Sequence, residues 1–248
     1  MKKKIYSKKQ FERVLMKNAE SMSKDKRLFK LANKVIEISD RYMYIHQNKF
    51  FGEYSLNLPE DLFKIQELVY NVGPDYIIEI GVAWGGTTLF LAGVLENIGH
   101  GKIIGVDIYI PSSAKKRILS KGKISKRIIL FKGSSLSTII QNKIYNMSKN
   151  KKIIIILDSN HTKEHVLKEL QFYSKLVSKN SYIICCDTIL NFIKKNKFRN
   201  RPWDNKNNPH SAVLDFLKKN KNFQIDKNIN KKLLITCNYN GYLKKVYN

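Results

Sequence analysis

The most constraining feature of the chain is a succession of short, almost purely apolar runs between residues 76 and 187, alternating with stretches of helical character. The runs are 76–80 (Y-I-I-E-I), 102–107 (K-I-I-G-V-D), 127–132 (R-I-I-L-F-K), 152–158 (K-I-I-I-I-L-D) and 181–187 (S-Y-I-I-C-C-D). A strand with one wet face alternates apolar and polar residues. Continuous Ile/Val runs of this length belong to strands buried on both faces of a parallel sheet. Helical stretches at about 86–97, 135–147, 163–178 and 210–220 supply the crossovers. Two further strands are expected near 223–226 and 232–237. The expected fold is α/β: a Rossmann-like, doubly wound, mostly parallel seven-stranded sheet.

The first 60 residues differ. They lack strand signals, and Leu28, Leu31, Val35 and Ile38 recur at three- and four-residue steps. This predicts a helical N-terminal extension over 1–60, with a loop through N-K-F-F-G-E-Y-S-L-N-L-P, before a domain over 61–248. Pro59, followed by Glu60 and Asp61, opens a further helix. No run approaches the 18 apolar residues of a membrane span, and the basic start M-K-K-K lacks the apolar segment of a secretory signal. The three cysteines, Cys185, Cys186 and Cys237, lie in apolar segments without disulfide or zinc spacing. A cytoplasmic setting is expected.

A formal charge of +26 invites a nucleic-acid reading. It comes from 39 Lys but only 7 Arg, and Lys, Ile and Asn, all with A/T-rich codons, fill 94 of 248 positions. Arginine is the better bidentate reader of phosphate and bases, so its scarcity argues against a nucleic-acid partner. Peripheral contact with anionic headgroups stays open.

In open parallel sheets ligands bind beyond the carboxyl ends of the strands. There the sequence places E-I-G-V-A-W-G-G-T from Glu79 to Thr87, in which Ala83 stands where a dinucleotide fingerprint needs its middle glycine. Asp107 closes the second run, where an acid can accept from a ribose diol. Gly133, Ser134 and Ser135 follow the third. Asp158 ends the fourth, with His161 three residues on, and Cys186-Asp187-Thr188 ends the fifth. Carboxylates on neighbouring strand ends can share a divalent cation, and a nearby imidazole can take a proton. His165 reads as ordinary helix surface. Arg199, Arg201, Trp203 and His210, in a segment over 190–210, could grip a sugar, a nucleotide or a phosphate.

The E-I-G-x-x-x-G-G loop, Asp107, D-S-N-H-T and the later D-T resemble class I S-adenosylmethionine-dependent methyltransferases, and most closely the cephalosporin hydroxylase/rhamnosyl O-methyltransferase family. The stretch F-F-G-E-Y-S-L-N-L-P-E-D-L, with its P-x-D-L, fits that family too. The resemblance implies a homo-oligomeric O-methyltransferase for a sugar, nucleotide-sugar or lipid-linked saccharide acceptor. Its cofactors would be S-adenosylmethionine and a divalent metal, with Mg²⁺ the first choice.

The resemblance also distributes roles. Glu79, Gly81, Val82, Ala83, Trp84, Gly85, Gly86, Thr87, Asp107, Ser134, Ser135 and Asp158 would bind the cofactor. Asp158 and Asp187 would ligate metal and His161 would be the base. Trp84, Arg199, Arg201, Trp203 and His210 would face the acceptor, the 190–210 segment acting as a lid. Cys186 stands where an acid usually precedes the second aspartate. Sulfur there would favour a softer metal, or a catalytically inactive binding protein. An RNA methyltransferase is the alternative the charge suggests.

Overall fold

The computed structural model describes residues 6–194 and 200–247. Two helices lead, α1 (Lys8–Lys24) and α2 (Lys26–Ser39). Ser7 and Gln10 close a capping box on α1, and Asp25 caps α2 by accepting from the Arg27 and Leu28 amides at 2.9 Å. The expected loop that follows contains a tight hairpin, β1 (Lys49–Phe50) and β2 (Glu53–Tyr54), turned by Phe51 and Gly52 in the left-handed region. Helix α3 (Pro59–Val72) starts at its proline, as expected.

From there strands and helices alternate: β3 (Tyr76–Ile80), α4 (Gly86–Ile98), β4 (Lys102–Asp107), α5 (Ser112–Leu119), β5 (Ile128–Lys132), α6 (Thr138–Ser148), β6 (Ile153–Leu157), α7 (Lys163–Tyr173) and β7 (Tyr182–Cys185). The chain closes with α8 (Pro209–Lys219), β8 (Phe223–Ile225), α9 (Lys227–Lys232) and β9 (Tyr242–Lys245). The seven-stranded sheet runs β5-β4-β3-β6-β7-β9-β8. All pairings are parallel except those of β9, which is antiparallel to both β7 and β8. The chain winds outward from β3 to β5, then returns to β6 on the other side of β3. The crevice at the carboxyl ends of β3 and β6 is therefore the topological switch point.

The continuous isoleucine run is explained by its two faces. Ile153, Ile155 and Leu157 enter one core with Ile78, Ile104 and Ile183, whereas Ile154 and Ile156 enter the other with Ile77, Ile103 and Ile184. No position on β6 meets water, so none is polar.

One expected strand is absent. Residues 232–237 are not extended ladder, and the last strand lies further on, at β9. The reason is a competing acceptor: the Cys237 amide and the Thr236 hydroxyl both donate to the carboxylate of Asp61 on α3. Two short helices, α5 and α9, lie where the sequence carries no helical signal.

Candidate active site at the switch point

After β3 the backbone turns sharply. Gly81 sits at φ +102°, where a Cβ would run into the backbone carbonyl of Asp158, so only glycine lets β3 and β6 approach this closely. The loop is then clamped by Asp107. Its Oδ2 accepts from the Val82 and Ala83 amides, both at 2.9 Å, and its Oδ1 from the Tyr109 amide at 3.0 Å. The clamp holds Ala83 at φ 47°, in the left-handed region. Asp107 thus shapes the loop and keeps acceptor capacity on Oδ1 for one more donor.

Loop and strand ends open onto a cleft of about 530 Å³. Gly81, Val82, Ala83, Thr87, Asp107, Ser134, Ser135, Asp158, His161, Asp187, Arg201 and Trp203 line it, bringing together residues more than 120 positions apart. Ile36 and Glu37 from α2 and Asp40 just after it line it too, a contribution the sequence does not signal.

Several expected site residues lie elsewhere. Glu79 is buried beneath the loop, accepting from the Thr88 hydroxyl. Gly85 and Gly86 start α4 behind the cleft wall, and a Cβ at Gly86 would strike the backbone of Tyr54. Trp84, 50% exposed, neither walls the cleft nor anchors the core; it packs edge-on against Tyr54 with ring centroids 6.4 Å apart. His210 is buried against Phe192 and near Asn240. Cys186 is turned into the apolar core beside Ile184 and Tyr182, where burial pushes its thiol well up. Its sulfur is not among the groups that face one another at the strand ends. Arg199 lies outside the described residues.

Those facing groups are Asp158, His161 and Asp187, each with a ligand atom within 4.8 Å of the others. His161 Nε2 lies 3.2 Å from Asp187 Oδ2. Trp203 stands edge-on to the His161 ring at 4.8 Å, and the Arg201 guanidinium lies 5.1 Å over the indole. Asn57 donates to Asp158 Oδ2 at 3.3 Å and to Thr87 Oγ1 at 3.2 Å. Burial pushes the Asp158 carboxyl up, and the charge of Asp187 adds to this. Burial holds His161 below the ordinary imidazole range. Two like charges held this close in partial burial form a site whose repulsion a divalent cation would relieve.

His165 is not the ordinary surface residue its place in α7 suggests. It lines the cleft, with Nε2 3.0 Å from Glu169 Oε1. That oxygen also accepts from Ser135 Oγ at 2.6 Å and Ser159 Oγ at 2.9 Å. Glu169 is fully buried and its Oε2 has no partner among the described residues. Asn57 and Glu169, which bond to cleft residues, carry no site signal in the sequence.

A sequence profile described as Rhamnosyl O-methyltransferase/CmcI matches residues 42–246. The chain belongs to this family. Among curated relatives, the Rhamnosyl O-methyltransferase of Mycobacterium leprae (strain TN) is 30% identical over 146 residues, 57% of this chain and 61% of that protein. The one from Mycobacterium bovis (strain BCG / Pasteur 1173P2) is 28% identical over 135 residues, 53% of each chain. The chain therefore spans about half the length of the curated relatives it matches. Of solved structures, an apo form of CmcI superposes with TM-score 0.56 at 16% identity, over 82% of this chain and 78% of that one. A CmcI structure with Mg and SAM gives TM-score 0.53 at the same identity and coverage. At that identity the likeness establishes the shared fold. The family assignment rests on the profile.

Proposed function

We propose that the chain is an S-adenosylmethionine-dependent O-methyltransferase acting on a sugar or glycoconjugate hydroxyl, assisted by a divalent metal, with His161 as general base. The observation that carries this reading is the Asp158–His161–Asp187 group at the mouth of the glycine loop. Family membership supports it, as do the relatives named for rhamnosyl O-methylation.

The residues fit the cofactors. The cleft volume falls within the roughly 300–1,000 Å³ usual for small-molecule sites. Gly81, Val82 and Ala83, backed by the start of α4, would hold the methionine portion, and Asp107 Oδ1 would accept from the ribose. Ser134 and Ser135 would flank the base. Asp158 and Asp187 offer hard oxygen ligands suited to Mg²⁺, and with Cys186 turned away no sulfur competes. When bound, S-adenosylmethionine supplies an electrophilic methyl group, and the cation supplies charge that favours the deprotonated acceptor.

The chain's own part is orientation and proton transfer. Trp203 and Arg201 would hold the acceptor against His161 and orient its hydroxyl for transfer. The imidazole would take the hydroxyl proton as the acceptor oxygen receives the methyl group that the cofactor would give up from its sulfonium. An Nε2–H donated to Asp187 leaves Nδ1 as the basic nitrogen, and the same carboxylate stabilises the imidazolium. Burial favours the neutral imidazole, the form competent as a base.

Isothermal titration with S-adenosylhomocysteine tests the cofactor half; no binding would end the proposal. For the chemical half, His161→Ala should lower turnover on a saccharide acceptor by a factor on the order of 10²–10⁴. Cofactor affinity should stay within about twofold. An unchanged rate would remove His161 from the mechanism.

A further inference from the structure

Asp61 is a fully buried carboxylate near the start of α3. It does not line the cleft, and nothing in the reaction above uses it. Three donors converge on it. Oδ1 accepts from the Thr236 hydroxyl and from Tyr242 Oη at 3.1 Å, and Oδ2 accepts from the Cys237 amide at 2.8 Å. All three come from the C-terminal segment expected as a strand, or from the strand that follows it.

The segment so held acts in turn on the metal-type group. Thr236 Oγ1 accepts from the Asn238 amide at 2.9 Å, and Asn238 Oδ1 accepts from the Asp187 amide at 3.2 Å. The Cys237 carbonyl accepts from the Ile189 amide at 3.0 Å. Asp187 itself sits at φ 54°, in the left-handed region, a conformation uncommon for residues other than glycine. It is held there by bonds to its own amide and to that of residue 189, both supplied from 236–238.

Four residues before Asp61, the buried Asn57 acts on the other carboxylate directly, donating to Asp158 Oδ2. Ser55 shares Thr87 with it, at 3.0 Å. A single stretch of chain, 55–61, therefore reaches both Asp158 and Asp187, although neither is near it in sequence.

We propose that residues 55–61 set the spacing of the Asp158–Asp187 pair, Asn57 by direct contact and Asp61 as a positioning residue acting through residues 236–238. The inference rests on the metal reading above and deepens it. It gives a task to the S-L-N-L-P-E-D-L motif, which the sequence marked without explaining.

The test is Mn²⁺ binding to the full chain, followed by titration calorimetry or by the loss of the free-ion paramagnetic signal, beside S-adenosylhomocysteine binding. Asp61→Asn keeps the volume but brings an amide donor against at least one of three donors. Thr236→Val keeps the Cys237 and Tyr242 bonds to Asp61 and severs the link to Asn238. Each should weaken Mn²⁺ binding about 10–100-fold, the range for residues that orient metal ligands. S-adenosylhomocysteine affinity should change by less than about threefold. If Asp61→Asn does not fold, Thr236→Val decides alone. Folded variants that bind Mn²⁺ as tightly as the unaltered chain overturn the inference, and so does an equal loss of both affinities, which would mark a merely structural role. An unaltered chain that binds S-adenosylhomocysteine but no Mn²⁺ overturns the metal reading and this inference with it, leaving the cofactor reading standing.

Discussion

At the scale of single residues the site is defined by what surrounds each carboxyl group. Asp107, Asp158 and Glu79 all look like ligand-facing acids in the sequence, yet they have three different tasks. Asp107 clamps a loop, Asp158 meets His161 and Asp187, and Glu79 is buried under both. Burial raises Glu79 to about 8, and the charges of Asp158 and Asp107 contribute in the same direction. The Thr88 hydroxyl opposes the shift without cancelling it. The folded chain therefore binds this proton more tightly than the unfolded chain. The associated stability is fully present below the unfolded value near 4.5 and is lost as pH rises through about 8. Glu79→Gln should accordingly flatten the fall in melting temperature between pH 5 and 8, as read by thermal denaturation across that range. A slope identical to that of the unaltered chain would mean that Glu79 ionises without penalty.

At the scale of elements, close packing explains why the loop begins and ends in glycine. Gly81 brings β3 against the end of β6, and Gly86 brings α4 against the β2 hairpin strand, where the neighbour is backbone and cannot swing aside. Gly86→Ala should therefore destabilise the protein by about 1–3 kcal/mol, the usual cost of overpacking, despite alanine's better helix propensity. Chemical denaturation would read this directly; a gain in stability would show that the hairpin yields. The same logic accounts for the misplaced last strand. The apolar run L-L-I-T-C has the composition of a strand, but Asp61, some 175 positions earlier, captures its donors. No local pattern contains that competitor.

At the scale of the whole molecule, the charge of +26 is a cost to the compact state. Fully exposed ion pairs among the described residues, such as Lys168–Glu164, contribute little against it. Raising NaCl from about 10 mM to about 150 mM shortens the screening length to about 8 Å and should raise the melting temperature by a few degrees. A fall over that range would show that attractive pairs outweigh the self-repulsion. No helix among the described residues is long and apolar enough to cross a membrane.

The sequence alone determined the parallel core, because strands buried on both faces must be apolar at every position, as 153–157 are. It also placed Asp158, His161 and Asp187 on one rim, since ligands gather where strands end. Tertiary structure alone decided which way each rim residue turns. Cys186 is turned into the core, Trp84 leans out on Tyr54, and the α7 face that carries His165 and Glu169 meets Ser135 from the loop after β5. Pairings across more than 100 positions, such as Asn57 with Asp158 and Asp61 with Cys237, exist only once the sheet has closed. Local spacing records periodicity within an element. A side chain's partner is set by packing between elements, which no window along the chain can hold.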